Sequence, residues 1–404
     1  MMRNLFSRLF ILIILLASCT TANAQPQAID SIKVSFITCY AGSDIYELCG
    51  HSAIRIQSAG EDVAVNYGMF DFNAPNFVYR FVKGETDYMV GTYPFDSFVN
   101  SYTRNGRKIV EQELNLTQAQ ASRLIELIEI NLRPENRVYR YNYVKDNCAT
   151  RPVAIIEKAI GDTISLSTPT IDTEEWSYRD EMRYFHKNYP WYQFGIDLAL
   201  GSGIDFTISN REKGFAPEIL EQLLAGATIS NANGEQIPLV KSTTIIFEGT
   251  PGGAQLPPTP WILTPIAIFS ILLIVIAWIS WRDIKRGETT RWIDTILFGI
   301  FGLFGLLMTF LIFVSVHEAT SPNWLYLWLN PLCFIPAIGL WLKKCKRMVL
   351  YYYFANFVAL FLLAIALVIT GQSINIAFVP LILCNLVRSA SYIYINKCVV
   401  KKTI

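Results

Sequence analysis

Histidine is nearly missing: His51, His186 and His317 are the only three in 404 residues. A general base that works near neutral pH is most often an imidazole, so the field of candidates is narrow. Cysteine is scarce where it would count. Of eight, Cys19 sits in the N-terminal apolar stretch, and Cys333, Cys345, Cys384 and Cys398 lie in or near the apolar runs of the C-terminal part. Cys39, Cys49 and Cys148 remain, an odd number. No Cys-x-x-Cys or His-x-x-x-His spacing occurs, which argues against zinc, and neither a metal nor a cofactor is expected. Charge is thin too: 17% of residues, with a formal net of +1. That leaves no basic footprint for nucleic acid. What the chain has in excess is apolar surface, 52% hydrophobic residues with a mean hydropathy of +0.32, beyond the range of an ordinary soluble protein.

That excess lies almost wholly after Trp261. Five apolar runs follow, at roughly 262–281, 292–316, 324–342, 348–370 and 376–395, each near the twenty residues a bilayer crossing needs. Arg282, Lys285, Arg286 and Arg291 follow the first run, and Lys343, Lys344, Lys346 and Arg347 the third. Lys397, Lys401 and Lys402 end the chain, whereas the loops 317–323 and 371–375 carry no Lys or Arg. The positive-inside rule therefore puts the C-terminus in the cytoplasm and the N-terminal domain outside. Arg3 and Arg8 before the short apolar stretch Leu9 to Leu16 read as a secretory signal. Cleavage is expected after Ala24, with Cys19 in a lipobox-like Leu16-Ala17-Ser18-Cys19 as the competing site. A Gly/Pro-rich linker, Gly249 to Pro260, separates the parts. The expected division is a signal at 1–24, an extracytoplasmic domain at 25–255 and a membrane domain at 256–404.

The middle domain reads as α+β. Strands are predicted at 32–38, 52–57 and 62–67, the last two joined as a hairpin through Ser58-Ala59-Gly60-Glu61. A helix capped by Thr117 should run to Leu132. Val138 to Tyr143 alternates like a strand and leads into Asp146-Asn147-Cys148-Ala149-Thr150-Arg151. Asn147 is a good N-cap for a helix that Gly161 ends, which places Cys148 in the first turn, where the helix dipole favours a thiolate. An inert buried thiol fits the same residues. The base would be His51 or His186. A hairpin turn centred between Ala59 and Gly60 sets Ala53 opposite Asn66, so that Asn66 lies diagonally across from His51 and can orient its ring; a slip of one residue would turn Asn66 to the other face. Cys39 and Cys49 flank a short loop and either pair in an oxidising space or stay reduced. The aromatic-rich span 176–206 suits a surface lying on lipid headgroups or an ordinary core. Asn330-Pro331 lies inside the third run, where Asn330 can repair the backbone that proline frees. His317 and Asn323, at the outer edge of that run, are candidates for positioning lipid.

Taken together, Gly50-His51-Ser52-Ala53-Ile54-Arg55, Asn66-Tyr67-Gly68-Met69-Phe70-Asp71-Phe72, Asn76-Phe77, Asn136 to Arg151 and Asp197-Leu198-Ala199-Leu200-Gly201 resemble the Lnb family of Bacteroides-type lipoprotein N-acyltransferases. The order of His before Asn-Cys also resembles permuted papain-like (NlpC/P60-related) hydrolases and acyltransferases. The resemblance implies such a domain outside the bacterial inner membrane, followed by an all-α bundle of five transmembrane helices. It implies Cys148 as nucleophile and His51 as base, and leaves the third member to the hairpin reading, which offers Asn66; Asn147, Arg151, Tyr67 and Asp71 join His317 and Asn323 as candidates for holding substrate. The implied partners are a phospholipid acyl donor and a diacylated lipoprotein acceptor, with no nucleic acid. The same dyad would also serve a membrane-anchored cysteine amidase or peptidase of the cell wall, and a non-catalytic envelope chaperone would need no nucleophile.

Overall fold

The structure is a computed structural model and describes residues 31–399, with side chains to Lys397. The expected signal segment and its cleavage site, Cys19 and the terminal lysines Lys401 and Lys402 lie outside the described residues.

The N-terminal domain is built on a seven-stranded antiparallel sheet of β1 (Lys33–Cys39), β2 (His51–Ser58), β3 (Glu61–Met69), β4 (Asp87–Pro94), β5 (Ile109–Leu114), β6 (Val138–Arg140) and β9 (Val240–Phe247), in the order β6-β4-β3-β2-β1-β5-β9. β7 (Thr228–Ser230) and β8 (Gln236–Pro238) form a separate ribbon. Ala59 and Gly60 make the two-residue turn between β2 and β3, with Ser58 paired to Glu61 and Ala53 opposite Asn66, as the hairpin reading expects. Gly60 has φ +83°, the left-handed conformation such turns require. β6 is shorter than the alternation of tyrosines suggested. After Arg140 the chain turns back through the Asn142–Asp146 bridge, so Tyr139, Tyr141 and Tyr143 face different neighbours.

Helices α1 (Phe77–Lys83), α2 (Phe95–Thr103), α3 (Gln118–Leu132), α4 (Thr150–Ile160), α5 (Tyr178–Phe185), α6 (Pro190–Ala199) and α7 (Pro217–Ala225), with a single helical turn at Asn210–Lys213, pack around the sheet. α3 starts where Thr117 Oγ1 accepts the Gln120 N–H and Gln120 reaches back to the Thr117 N–H, a reciprocal cap. One sheet face, with Val34, Phe36, Ile54, Val65 and Tyr67, packs under α3, α4 and α7. The other, with Ile37, Cys39, Ala53 and Ala64, packs against Phe95 and Phe98 of α2. Two cores on opposite faces explain why β1 is buried at every position but its first, a pattern that departs from simple alternation.

Beyond the linker, α8 (Pro265–Arg286), α9 (Arg291–Phe313), α10 (Lys346–Thr370) and α11 (Phe378–Tyr394) are, among the described residues, the helices long and apolar enough to cross a membrane, four where the sequence predicted five spans. The run at 324–342 is broken into a 3₁₀ turn at Trp324–Leu327, another at Pro331–Cys333 and a short helix at Phe334–Gly339. Proline supplies no N–H to continue the ladder. Asn330 repairs the break, its side chain donating to the Tyr326 carbonyl at 3.1 Å and accepting from the Leu332 N–H at 3.1 Å. α9 approaches this break backbone to backbone: a Cβ at Gly305 would lie 2.3 Å from the Asn330 carbonyl carbon. Deeper in the bundle, Arg388 donates to Asp283 and to both oxygens of Asp294 at 2.6–3.0 Å. Pairing of this kind is what a buried intramembrane charge needs.

The span 176–206 joins the two parts. Tyr178 and Phe185 are core residues, while Phe194 packs on Phe269 and Phe378, and the Trp191 indole N–H donates to the Leu263 carbonyl. These aromatics pack within the protein more than they face lipid. Beside them, fully buried Arg179 donates to Asp197, to Asp205 and to the carbonyls of Leu200 and Gly201. From the membrane side, Asn375 donates to Asp197 at 2.9 Å and the Ser373 N–H to Asp205 at 3.3 Å. The N–H groups of Gly201 and Ser202 donate to the carbonyls of Ala319 and Pro322, both at 2.8 Å. A Cβ at Gly201 would lie 2.2 Å from the Pro322 oxygen, so only glycine fits this contact.

Candidate active site

Asn147 shapes the turn that carries Cys148. Its side-chain oxygen accepts from the N–H groups of Ala149 and Thr150 at 2.8 and 3.0 Å, and its amide donates to the carbonyls of Tyr143 and Phe215. That is the bonding of an N-cap, although the regular helix begins at Thr150. Asn147 is thus a buried structural residue with its amide engaged at both ends. The turn lies against the end of β3 because Gly68 has no side chain: a Cβ there would be 3.4 Å from Cys148 Cβ and 3.2 Å from the Tyr141 ring. The Gly68 N–H donates to the Tyr139 hydroxyl at 2.6 Å, and Arg151, stacked 3.5 Å over the Tyr139 ring, donates to Asp146. Arg151 braces this loop and spends its charge within it.

His51 opens β2 one residue from Ser52, whose backbone N–H is directed at the Cys148 sulfur. Across the hairpin, Asn66 Oδ1 lies 3.1 Å from His51 Nε2. An amide oxygen only accepts, so Nε2 carries the proton and Nδ1 keeps its lone pair, the tautomer a base needs. The ring stacks on Tyr102 at a 6.1 Å centroid distance and 10°, and the buried guanidinium of Arg107 lies 4.6 Å over the far ring. Among the described residues no hydrogen bond joins the thiol to His51; apo sites of this kind often tighten only when substrate binds.

Burial lowers the His51 pKa to about 4, opposed by the bond to Asn66 and reinforced by Arg107. Burial also pushes the Cys148 thiol above its ordinary value; the Ser52 N–H and the Tyr141 hydroxyl pull it down without cancelling that effect. This corrects the expectation from the helix dipole, since the loss of water outweighs the helix start. At neutral pH both groups are uncharged. Alkylation of Cys148 by iodoacetamide should therefore rise about tenfold per pH unit from 6 to 9 as the thiolate fraction grows. A rate already level at pH 6 would show a resting thiolate–imidazolium pair.

Several candidates lie away from this centre. Tyr67 is a core residue on the opposite sheet face, its hydroxyl 3.2 Å from Asn131 Nδ2. Asp71 is exposed and caps its own turn through the Asn73 N–H. Asn323 is buried, donating to the Leu198 carbonyl and accepting from Gln372 and the Leu325 N–H. It ties the two parts together and leaves no amide end for a lipid. His317 Nε2 is 2.8 Å from the Phe81 carbonyl and holds α1. His186 is buried against Gln193 and Tyr192. Cys39 and Cys49 are unbridged: Cys39 faces the core under α2, and Cys49 lies 3.3 Å from the Tyr143 hydroxyl.

The sequence reading missed Tyr141, Tyr102 and Arg107. For Tyr141 a signal existed, the tyrosines at every second position before the Cys148 turn. For the others none did, because only the sheet brings β5 and the end of α2 beside His51. Among the described residues, no group of three His, Cys, Asp or Glu is placed to hold a metal ion.

A scan against family models matches residues 21–179 to the Lnb N-terminal periplasmic domain and 258–398 to the Lnb transmembrane domain. No curated protein and no solved structure gave a match. A periplasmic domain followed by a membrane-spanning one fits a protein of the inner membrane. Two successive matches to the two parts of one family, in the order in which the fold joins them, mean that the chain belongs to the Lnb family.

Proposed function

We propose that the protein is a thiol-dependent lipoprotein N-acyltransferase, built on a permuted papain-like periplasmic domain. It takes an acyl chain from a membrane phospholipid, holds it as a Cys148 thioester and passes it to the α-amine of a diacylglyceryl-cysteine lipoprotein. The observation that carries this reading is the Asn66–His51 bond beside the Cys148 turn, which fixes a base tautomer next to a thiol. In the first half-reaction His51 Nδ1 takes the thiol proton and the sulfur attacks the ester carbonyl. The C–O bond then breaks, and the lysophospholipid alkoxide leaves with the proton from His51. In the second, the lipoprotein amine attacks the thioester, His51 accepts the amine proton, and the C–S bond breaks to return the thiol. The helix-start N–H groups of Ala149 and Thr150 are taken by Asn147, and the Cys148 N–H points at the Tyr141 hydroxyl oxygen, so the oxyanion takes over the Cys148 N–H from Tyr141, with the Ser52 N–H as the neighbouring donor.

The same reading has the broken run at 324–342 complete a fifth crossing. Loops 317–323 and 371–375 both bond the periplasmic domain. The outer ends of α9 and α10 therefore lie on one side, and the chain between them has to return to the other before α10 begins.

The deciding measurement is the mass of a lipoprotein N-terminal peptide after incubation with reconstituted protein and phospholipid vesicles. The expected result is a gain of one acyl chain on the α-amine, lost with Cys148→Ala. Peptide or cell-wall amide cleavage with no acyl gain would replace this reading with that of an amidase.

A further inference from the structure

α1 is seated on the outer end of a membrane helix. The Val316 N–H donates to the Lys83 carbonyl and the Ser315 hydroxyl to the Val82 carbonyl, both at 2.9 Å, and the Tyr79 ring lies 5.9 Å from that of Phe310 on α9. Its outward side is apolar, with Val78 73% and Tyr79 55% exposed. In a bilayer spanned by α9, residues at its outer end would meet the boundary between headgroups and acyl chains, where amphipathic aromatics are stable.

From α1 a line of aromatic rings runs inward to the thiol. Phe81 contacts Phe77 at 6.0 Å, Phe77 contacts Phe70 at 5.8 Å, Phe70 contacts Tyr88 at 5.2 Å, and Tyr88 stacks on Tyr141 at 4.0 Å. Tyr141 lies against Cys148. Phe72, 57% exposed, covers the middle of the line against Phe70 and Phe77. A patch of this kind standing in water is costly and marks an interaction surface. Its outer end is continuous with the membrane helices and its inner end is the nucleophile. We infer that this aromatic lane is the acyl-chain subsite, along which one chain of an outer-leaflet phospholipid leaves the bilayer with its ester carbonyl delivered to Cys148. A peptide segment fits the lane poorly, since its polar backbone would go unpaired along the rings of Phe70, Phe72, Phe77 and Phe81.

The inference rests on the acyl-transfer reading, and its test separates the two. Full-length Cys148→Ala protein is reconstituted in phosphatidylcholine vesicles containing a phospholipid with a diazirine along one acyl chain. It is then irradiated, and the adducts are mapped. Adducts on Phe70, Phe72, Tyr88 or Tyr141 are expected. Adducts confined to Val78, Tyr79 and the membrane helices would overturn the lane and leave α1 as a face that only rests on lipid. This arm reads lipid position without catalysis, so lane adducts combined with no acylation of Cys148 in the unmodified protein would defeat the reaction and keep the subsite. In the unmodified background, Phe72→Asp should lower acylation of Cys148 from vesicles at least tenfold while iodoacetamide alkylates Cys148 at the same rate. Equal acylation in the variant would overturn the lane, and a variant that fails to fold leaves the crosslinking result to decide.

Discussion

Replacing His51 with alanine should slow acylation of Cys148 by phospholipid roughly 10²–10⁴-fold, the range a positioned general base contributes. The measurement is the intact mass of the protein in a single turnover with vesicles. The size of the effect follows from the resting charges. A thiol held above its ordinary pKa by burial has almost no thiolate at pH 7 to fall back on, so removal of the base removes the nucleophile. Because the His51 pKa is depressed to about 4, its neutral form persists through mildly acidic solution. The rate should fall only as pH drops through about 4, where the ring gains the proton that stops it acting as base. His186→Ala should leave acylation close to unchanged in protein that still folds, since the His186 ring bonds Gln193 and packs on Tyr192. A loss in His186→Ala as deep as in His51→Ala would remove His51 from its role. Asn66→Ala should act in the same direction as His51→Ala but less severely, because it frees the ring to turn while leaving the base in place.

Arg179→Ala should destabilise the protein by roughly 3–5 kcal/mol, the cost of leaving buried charge unpaired. Asp197 and Asp205 are 0% and 3% exposed and take their main cation from Arg179. Arg183 donates twice more to Asp197, at 3.1 and 3.4 Å. The loss also releases the carbonyls of Leu200 and Gly201. Thermal unfolding in detergent checks the magnitude, and faster proteolysis within 317–323 and 371–375 checks the location. Arg179→Lys should recover only part of the loss, because one ammonium cannot reproduce a planar fork spread over two carboxylates and two carbonyls. A shift below about 1 kcal/mol, as for a solvent-exposed ion pair, would contradict the burial described here.

These two sites differ in how legible they were. The β2–β3 hairpin was readable because alternation, a Gly-containing turn and a two-residue period fix its register locally. Once Ala53 faces Asn66, the diagonal from Asn66 to His51 follows from strand geometry. Thr117 and Asn147 were readable as helix starts for the same reason, since capping is a matter of three or four neighbouring residues. The fate of the Cys148 proton was not, because burial depends on what the whole sheet places around the thiol. Arg179, Asp197 and Asp205 lie on different elements and meet only in the fold. The third apolar run shows the converse case: composition marked it as membrane material, and Pro331 then decided its local shape. Tyr67 was misplaced by adjacency, since a neighbour of Asn66 along a strand must face the other way.

The clasp in which Gly201 and Ser202 bond the carbonyls of Ala319 and Pro322 sets the altitude of the thiol. With the domain clamped to the loops between membrane helices, Cys148 is held at a fixed height above the outer ends of those helices. The proposed donor and acceptor would then need to travel only sideways, in two dimensions, to reach it. Under the proposed acyl transfer, selection among acceptors would become a matter of stature: an amine held a short distance above its own lipid anchor would come level with the thioester, and one lifted higher by its surroundings would pass overhead.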